Sequence, residues 1–243
     1  MIARLVRVAL PLLAPLVLAA CVLAPGKFTS SLVINADRTF TYSYTGEVYA
    51  FDADKMMQGM GKSDGGATDS SSKTRIAWWS DDKAGNADDK ATVEAKNKAL
   101  ADALSKEAGY RKAEYLGNGK FMIDYQVGGR LDHAFVFPYN LDAGIIIPFI
   151  VVEVRANGTV RVKAPGFAND SKDQLGGASG PSDGAKTMSK LDGTFTLDTD
   201  AEIISQNNEA GVQTVGGRRT IAWKATPLAD TAPLAVLKLT SVK

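Results

Sequence analysis

Residues 30–48 read SSLVINADRTFTYSYTGEV, and this stretch decides the fold class. In its second half Phe40, Tyr42 and Tyr44 alternate with threonine and serine, which is a period of two residues in types that favour strands. Residues 35–38 (NADR) between the two apolar runs supply turn chemistry. The pattern predicts a β-hairpin formed by residues 28–34 and 39–51, with an aromatic face turned towards a core.

The rest of the chain predicts one helix and a series of further strands. Residues 88–108 are rich in alanine, lysine, glutamate and leucine, and Val93, Leu100 and Leu104 fall on one side of a helix. Together with the hairpin, these segments predict an α+β fold, in which one main helix packs on a curved antiparallel β-sheet. The further strands are predicted at 110–116, 120–127, 133–138, 145–154, 159–164, 194–204, 212–223 and 234–240.

The composition indicates a single folded body with two long loops. The chain is 45% hydrophobic and 23% charged, which is enough apolar material for a core. Residues 28–243 are predicted to form one domain. Glycine, aspartate and serine are concentrated near residues 52–72 and 165–190, which predicts long polar loops there.

The first twenty residues have the pattern of an export signal. Arg4 and Arg7 precede an apolar run at residues 8–20 that carries no charge. That run fits a signal-peptide core of about 7–15 residues and is shorter than the roughly 20 residues of a spanning helix. Residues 1–20 are therefore predicted to be a signal peptide, and residues 21–27 a short tether.

The segment Leu18-Ala19-Ala20-Cys21 resembles the lipobox of bacterial lipoproteins. The resemblance implies cleavage between Ala20 and Cys21, and attachment of diacylglycerol to the thiol of Cys21, with further acylation of the new amino group. More than one acyl chain gives durable membrane anchoring. Val22 stands where an aspartate commonly signals inner-membrane retention, so the resemblance favours the outer membrane, with the body in the periplasm.

The charge balance argues against a nucleic-acid partner. Residues 21–243 carry 26 basic and 27 acidic side chains, so the body is nearly neutral. The predicted partners are therefore the membrane, through the lipid anchor, and an envelope lipid or protein.

No pattern in the sequence names a reaction. Ser63 and Ser182 lie in Gly-x-Ser-x-Gly segments, but both segments fall in polar loops without the strand and helix that a nucleophile elbow needs. His133, the only histidine, is predicted to lie on a strand with Phe135 and Phe137. One histidine and one cysteine supply no ordinary zinc site. We therefore predict a non-enzymatic protein with no catalytic residue, metal site or cofactor.

Two groups of apolar residues are candidates for a binding surface. Met56, Met57 and Met60 could offer an adaptable apolar surface, and Trp78 and Trp79 suit a boundary between lipid and water. The alternative is that the tryptophans belong to the core and the methionines make packing contacts within a loop.

The hairpin SSLVINADRTFTYSYTGEV and the later TIAW, followed by an apolar strand, resemble the LppM-type envelope lipoproteins. That resemblance implies an α+β body associated with envelope lipids, and no ligand residue carries over from it. The leading hypothesis is therefore a lipoprotein whose body binds an apolar envelope molecule. A structural or assembly role through protein contacts is the second hypothesis, and a hydrolase is the third.

Overall fold

The computed structural model describes residues 21–52, 87–139, 148–168 and 190–240. Within these ranges the chain forms one α-helix, α1 (Ala87–Leu104), a short 3-10 turn (Pro165–Phe167) and twelve strands. The strands are β1 (Cys21–Ile34), β2 (Thr39–Asp52), β3 (Tyr110–Gly117), β4 (Lys120–Arg130), β5 (Phe135–Phe137), β6 (Ile150–Val154), β7 (Thr159–Lys163), β8 (Asp192–Thr199), β9 (Glu202–Gln206), β10 (Gln213–Val215), β11 (Arg218–Ala225) and β12 (Leu234–Lys238).

The strands form two curved sheets. The larger has the order β10-β11-β8-β1-β2-β4-β3, and the smaller has the order β5-β6-β7-β12-β9. Neighbours are antiparallel except for β1 and β8, which run parallel from Lys27 opposite Asp192 to Ile34 opposite Thr199. The α+β class and the curved sheet are confirmed. The second sheet and the parallel pair are additional to what the sequence predicted.

The predicted hairpin is the centre of the larger sheet. Leu32 lies opposite Tyr42, and Ile34 lies opposite Phe40. The strands extend beyond the prediction, because β1 begins at Cys21, opposite Asp52. The predicted tether of residues 21–27 is therefore part of a strand, with a register shift between Pro25 and Phe28.

Aromatic side chains fill the space between the two sheets. Tyr42 and Tyr44 are fully buried, as the alternation predicts. The ring centroid of Tyr44 lies 5.6 Å from that of Phe137 in β5 and 5.5 Å from that of Phe149, which precedes β6. These contacts join the hairpin to the smaller sheet, so both sheets share one hydrophobic core.

Helix α1 contacts β3 at one edge of the larger sheet. It ends at Leu104, earlier than predicted, and a turn leads to Gly109, whose φ of 94° is left-handed. The predicted apolar stripe is confirmed only at Leu104, since Val93 and Leu100 are half-buried. Asn97 is buried instead, and its side-chain amide lies 3.4 Å from the hydroxyl of Tyr115.

Three predicted strands have different bounds. Residues 194–204 divide between β8 and β9 in different sheets, because a turn at Asp200 breaks the run. That turn is held by the carboxylate of Asp200, which accepts from the backbone N–H of Ala36 at 2.6 Å. Residues 212–223 form the hairpin β10–β11 rather than one strand. Of the predicted strand 145–154, residues 150–154 form β6, and residues 145–147 lie outside the described ranges.

Candidate functional site

Cys21 is at one end of the larger sheet, which we call the anchor end. Three elements meet there. Strand β1 begins at Cys21, and strand β2 ends at Asp52, which pairs with Cys21. The β3–β4 turn joins them, because the carbonyl of Gly119 accepts from the N–H of Ala50 at 2.8 Å. Helix α1 is tied to the same turn, where the Glu94 carboxylate accepts from the N–H of Asn118 at 3.1 Å.

An apolar cavity lies beneath α1 near the anchor end. Leu23, two residues after Cys21 in β1, contributes to its wall. The other lining residues come from the helix, from β2 and β4, and from the aromatic core. They are Val48, Leu100, Leu104, Tyr110, Phe121, Ile123, Phe137, Pro138 and Phe149.

The cavity holds about 30 Å³ of free space. Ligand pockets for drug-sized molecules usually have about 300–1,000 Å³, so this cavity is smaller by roughly a factor of ten. Its volume is comparable to that of one water molecule, about 30 Å³ in the liquid, but the lining offers a water few polar partners. In the described conformation the cavity is therefore an apolar gap in the packing.

The helix over this cavity is held by little apolar contact. Among residues 90–104, only Asn97, Ala101 and Leu104 are buried. Burying a leucine side chain stabilises a fold by about 1.5–3 kcal/mol, and an alanine contributes much less. The apolar attachment of α1 is therefore on the order of a few kcal/mol.

One lining residue of the cavity, Tyr110, belongs to a cluster of packed aromatic rings. Tyr110 and Tyr125 pack edge-to-face with ring centroids 4.8 Å apart, and Tyr125 lies 4.5 Å from Phe137. Burial raises the pKa of Tyr110 well above its ordinary value, and the charges of Tyr125 and Glu107 add to this effect. The lining contains no acidic or basic side chain, so the cavity carries no charge at physiological pH.

The outer face of the sheet at the anchor end carries a charged network. The Nζ of Lys120 lies 2.6 Å from Oε1 of Glu47, and the hydroxyl of Tyr49 donates to Oε2 at 3.1 Å. The Nζ of Lys190 lies 4.3 Å from the centroid of the Tyr49 ring, which is a cation–π distance.

Most of the predicted site residues lie outside the described residues. This holds for Ala20, Ser63 and Ser182. Cys21 is within β1, and its backbone position alone is described. The candidate apolar surface outside the described ranges consists of Met56, Met57, Met60, Trp78 and Trp79.

His133 is not on the predicted strand. β5 begins at Phe135, and His133 lies exposed in the preceding loop. It lines an open cleft of about 480 Å³ together with Arg38 and Arg155, two residues that sequence reasoning missed. The structural mark of Arg38 is its φ of 77°, which is unusual for a residue other than glycine and is not visible in the sequence.

Within the ranges that the structure describes, no group of three histidine, cysteine or acidic side chains could hold a metal ion. No helix of the described part is long and apolar enough to cross a membrane.

No protein-family model matches the chain, and no curated protein matches it. Among solved structures, the NMR structure of the LppM folded domain from Mycobacterium tuberculosis is similar at 13% identity and a TM-score of 0.32, covering 90% of this chain and 92% of that one. The M1 zinc metallopeptidase from Deinococcus radiodurans is similar at 8% identity and a TM-score of 0.27, covering 88% of this chain and 42% of that one. At these values, function has to be inferred from the residues of this chain itself.

Proposed function

We propose that this protein is a cell-envelope lipoprotein, anchored through Cys21, whose non-enzymatic body binds the acyl part of an envelope lipid beneath α1. One observation carries the proposal. Leu23, which lies two residues after Cys21 in β1, lines the apolar cavity. An anchor on Cys21 would place that end against the membrane, where acyl chains are at hand.

Binding would require α1 to move, because the cavity holds only about 30 Å³. Separating the helix from the sheet exposes Leu100, Ala101 and Leu104 on the helix. It also exposes sheet residues beneath it such as Phe121 and Ile123, so the cost is on the order of several kcal/mol. An acyl chain that enters from the bilayer leaves one apolar environment for another, so what it contributes in return is cover for the apolar helix and sheet faces that would otherwise meet water. An acyl segment long enough to cover those faces would therefore offset the displacement of the helix.

Photocrosslinking in living cells tests this proposal. Envelope lipids are labelled with a fatty acid that carries a photoreactive group, and the crosslinked peptides of the acylated protein are mapped by mass spectrometry. We expect crosslinks on α1 and β4. Leu100→Phe should reduce them about tenfold, because the larger ring fills the cavity from the half-buried face of the helix.

Leu116→Phe is the matched control. It makes the same chemical change on β3, where Leu116 is 45% exposed and does not line the cavity. It should leave the crosslinks unchanged. Labelling confined to the chains attached to Cys21 would contradict lipid binding by the body.

The small volume of the cavity favours a second candidate function, a structural or assembly role through protein contacts. A close-packed interior without room for a ligand is what such a role requires. In that case crosslinks to envelope proteins, rather than to lipids, should depend on exposed residues of the body. Wild-type protein without lipid crosslinks would leave this candidate as the better account.

A further inference from the structure

Two turns of the protein have the same construction. In the β1–β2 turn, the N–H of Asn35 donates to the carbonyl of Thr39 and the N–H of Arg38 donates to that of Asn35, both at 2.9 Å. In the β6–β7 turn, the N–H of Arg155 donates to the carbonyl of Thr159 at 2.9 Å, and the N–H of Gly158 donates to the carbonyl of Arg155 at 3.1 Å.

The side chains at the centre of the two turns also correspond. The Asp37 carboxylate accepts from the backbone N–H and the hydroxyl of Thr39, at 2.9 and 2.6 Å. The Asn157 side-chain oxygen accepts from the same two groups of Thr159, at 3.1 and 2.6 Å. The turns are therefore alike in both their backbone and their side-chain bonds.

The two turns differ at the fourth residue, whose backbone has a positive φ in the left-handed region. Glycine takes it in one turn, as Gly158 at a φ of 79°, and arginine takes it in the other, as Arg38 at a φ of 77°. Glycine adopts this conformation without the steric cost that other residues meet there. The backbone alone would therefore favour glycine at position 38, and some other interaction has to account for the arginine side chain.

The two turns lie side by side, opposite the anchor end. Residues after β12 bridge them, because the N–H of Leu239 donates to the carbonyl of Gly158 at 3.0 Å and the N–H of Thr240 donates to that of Ala36 at 2.9 Å. This arrangement forms the cleft of about 480 Å³, which we call the distal cleft. Its lining residues are Arg38, Asp132, His133, Ala134, Val154, Arg155 and Ala156.

The cationic groups of the distal cleft have few partners. Nε of Arg38 is buried, and no described residue accepts a hydrogen bond from it. A buried donor of this kind is costly unless an acceptor arrives from outside. Among the described residues, Arg155 pairs with Glu153, whose Oε2 lies 3.7 Å from Nη2, and this ion pair is exposed and beyond hydrogen-bond distance.

The one acidic side chain in the lining already has a partner. Oδ1 of Asp132 accepts from Nε of Arg130 at 3.2 Å. Arg38 and Arg155 both line the cleft, and the ion-pair partner of Arg155 is the exposed Glu153. His133 lines the same cleft as a further hydrogen-bonding group.

We propose that the distal cleft binds a phosphate monoester group, with Arg38 and Arg155 as its charged donors. A phosphate monoester carries a charge of about −1.5 to −2 at pH 7, which matches two arginines better than a single carboxylate does. The volume of the cleft leaves room for a small organic body attached to the phosphate. This site is separate from the apolar cavity of the proposed function, and neither depends on the other.

Calorimetric titration of the acylated protein, held in phosphatidylcholine vesicles, tests the proposal with inorganic phosphate and glycerol 3-phosphate. We expect both to bind to the wild type. Arg38→Gly and Arg155→Gln should each weaken binding about tenfold, because each removes one charge-assisted donor. Arg111→Gln is the control and should bind like the wild type, since Arg111 pairs with Asp124 outside the cleft.

Stability separates a binding role of Arg38 from a structural one. Arg38→Gly should keep or raise the midpoint of thermal unfolding, because glycine suits the backbone at this position. A binding-competent Arg38→Gly variant would overturn the proposal, and so would no phosphate binding by the folded wild type. Equal affinity for acetate would overturn the assignment to phosphate.

A second arm distinguishes the source of the phosphate. Vesicles containing phosphatidic acid, whose headgroup is a phosphate monoester, are mixed with those that carry the protein, and aggregation is followed by light scattering. Aggregation that Arg38→Gly abolishes would assign the site to headgroups of a facing membrane. Binding of glycerol 3-phosphate without aggregation would assign it to a soluble phosphate ester. Either result supports a phosphate site.

Discussion

Arg38 and Gly158 occupy the same position in two turns with the same hydrogen-bonding pattern, at φ angles of 77° and 79°. The two turns meet at the end of the molecule opposite Cys21, and Arg38 lines the distal cleft between them. The apolar cavity and the charged cleft are therefore at opposite ends of a sheet whose first strand has 14 residues, or roughly 45 Å at full extension.

The cost of a side chain at the left-handed turn position can be measured directly. Gly158→Ala should destabilise the protein by about 1 kcal/mol, because a φ of 79° is unfavourable for alanine. Contacts of the added methyl group with neighbouring atoms should contribute little. A Cβ atom at position 158 would meet only the carbonyl oxygen of Leu239, at 3.9 Å. In thermal unfolding this corresponds to a midpoint lower by about 2–4 °C. Gly129→Ala, without a positive φ, is the control and should change little.

The parallel pairing of β1 and β8 depends on a glycine opposite an aromatic ring. Gly193 pairs with Phe28, and a Cβ atom added there would lie 2.3 Å from the Phe28 ring. The ring cannot move freely, because it stacks on Phe167 with centroids 4.4 Å apart. Gly193→Ala should therefore cost about 1–3 kcal/mol in urea unfolding. A variant as stable as the wild type would show that this contact is absent in solution.

The charged network at the anchor end predicts a loss of stability in acid. Burial alone would raise the pKa of Glu47, but hydrogen bonds from Lys120 and Tyr49 outweigh it and hold the pKa below its usual value. The stabilisation is therefore present above the unfolded-state pKa of about 4.3 and is lost as the pH falls through the lower folded-state value. Urea unfolding between pH 7 and pH 3 should show this loss. Glu47→Gln should reduce the slope of the unfolding free energy against pH in this range.

The buried tyrosines predict a loss of stability in alkali. Burial raises the pKa of Tyr42 and Tyr44 well above that of a free tyrosine. The folded state therefore keeps these protons when the unfolded state, with a pKa of about 10, begins to lose them. Unfolding free energy should fall as the pH rises above about 10. Ultraviolet absorbance of tyrosinate should then increase together with loss of the fold, and ionisation without unfolding would show that these side chains are accessible.

The sequence predicted local structure well wherever one face of an element is buried. The alternation at Phe40, Tyr42 and Tyr44 specified β2, because each second side chain enters the core. The helix was harder, since Asn97 contradicts an apolar stripe and is buried only because the hydroxyl of Tyr115 supplies a partner. That partner comes from a separate strand, so no pattern within the helix could reveal it.

Long-range assembly could not be predicted from local patterns. The pairing of β1 with β8 and the meeting of Arg38 with Arg155 both join distant parts of the chain. The break after β8 is different, because turn-forming residues mark it. The hydroxyl of Thr199 accepts from the N–H of Ala201 at 3.0 Å, just before Glu202 begins β9.

The most direct test of the central claim, anchoring through Cys21, is the intact mass of the protein extracted from membranes in detergent. We expect the mass of residues 21–243 increased by a diacylglycerol on the thiol and an acyl group on the new amino terminus. Cys21→Ser should lack both modifications, because the hydroxyl does not replace the thiol as the attachment atom. A wild-type mass without lipid, or one that begins at a residue other than Cys21, would contradict the account.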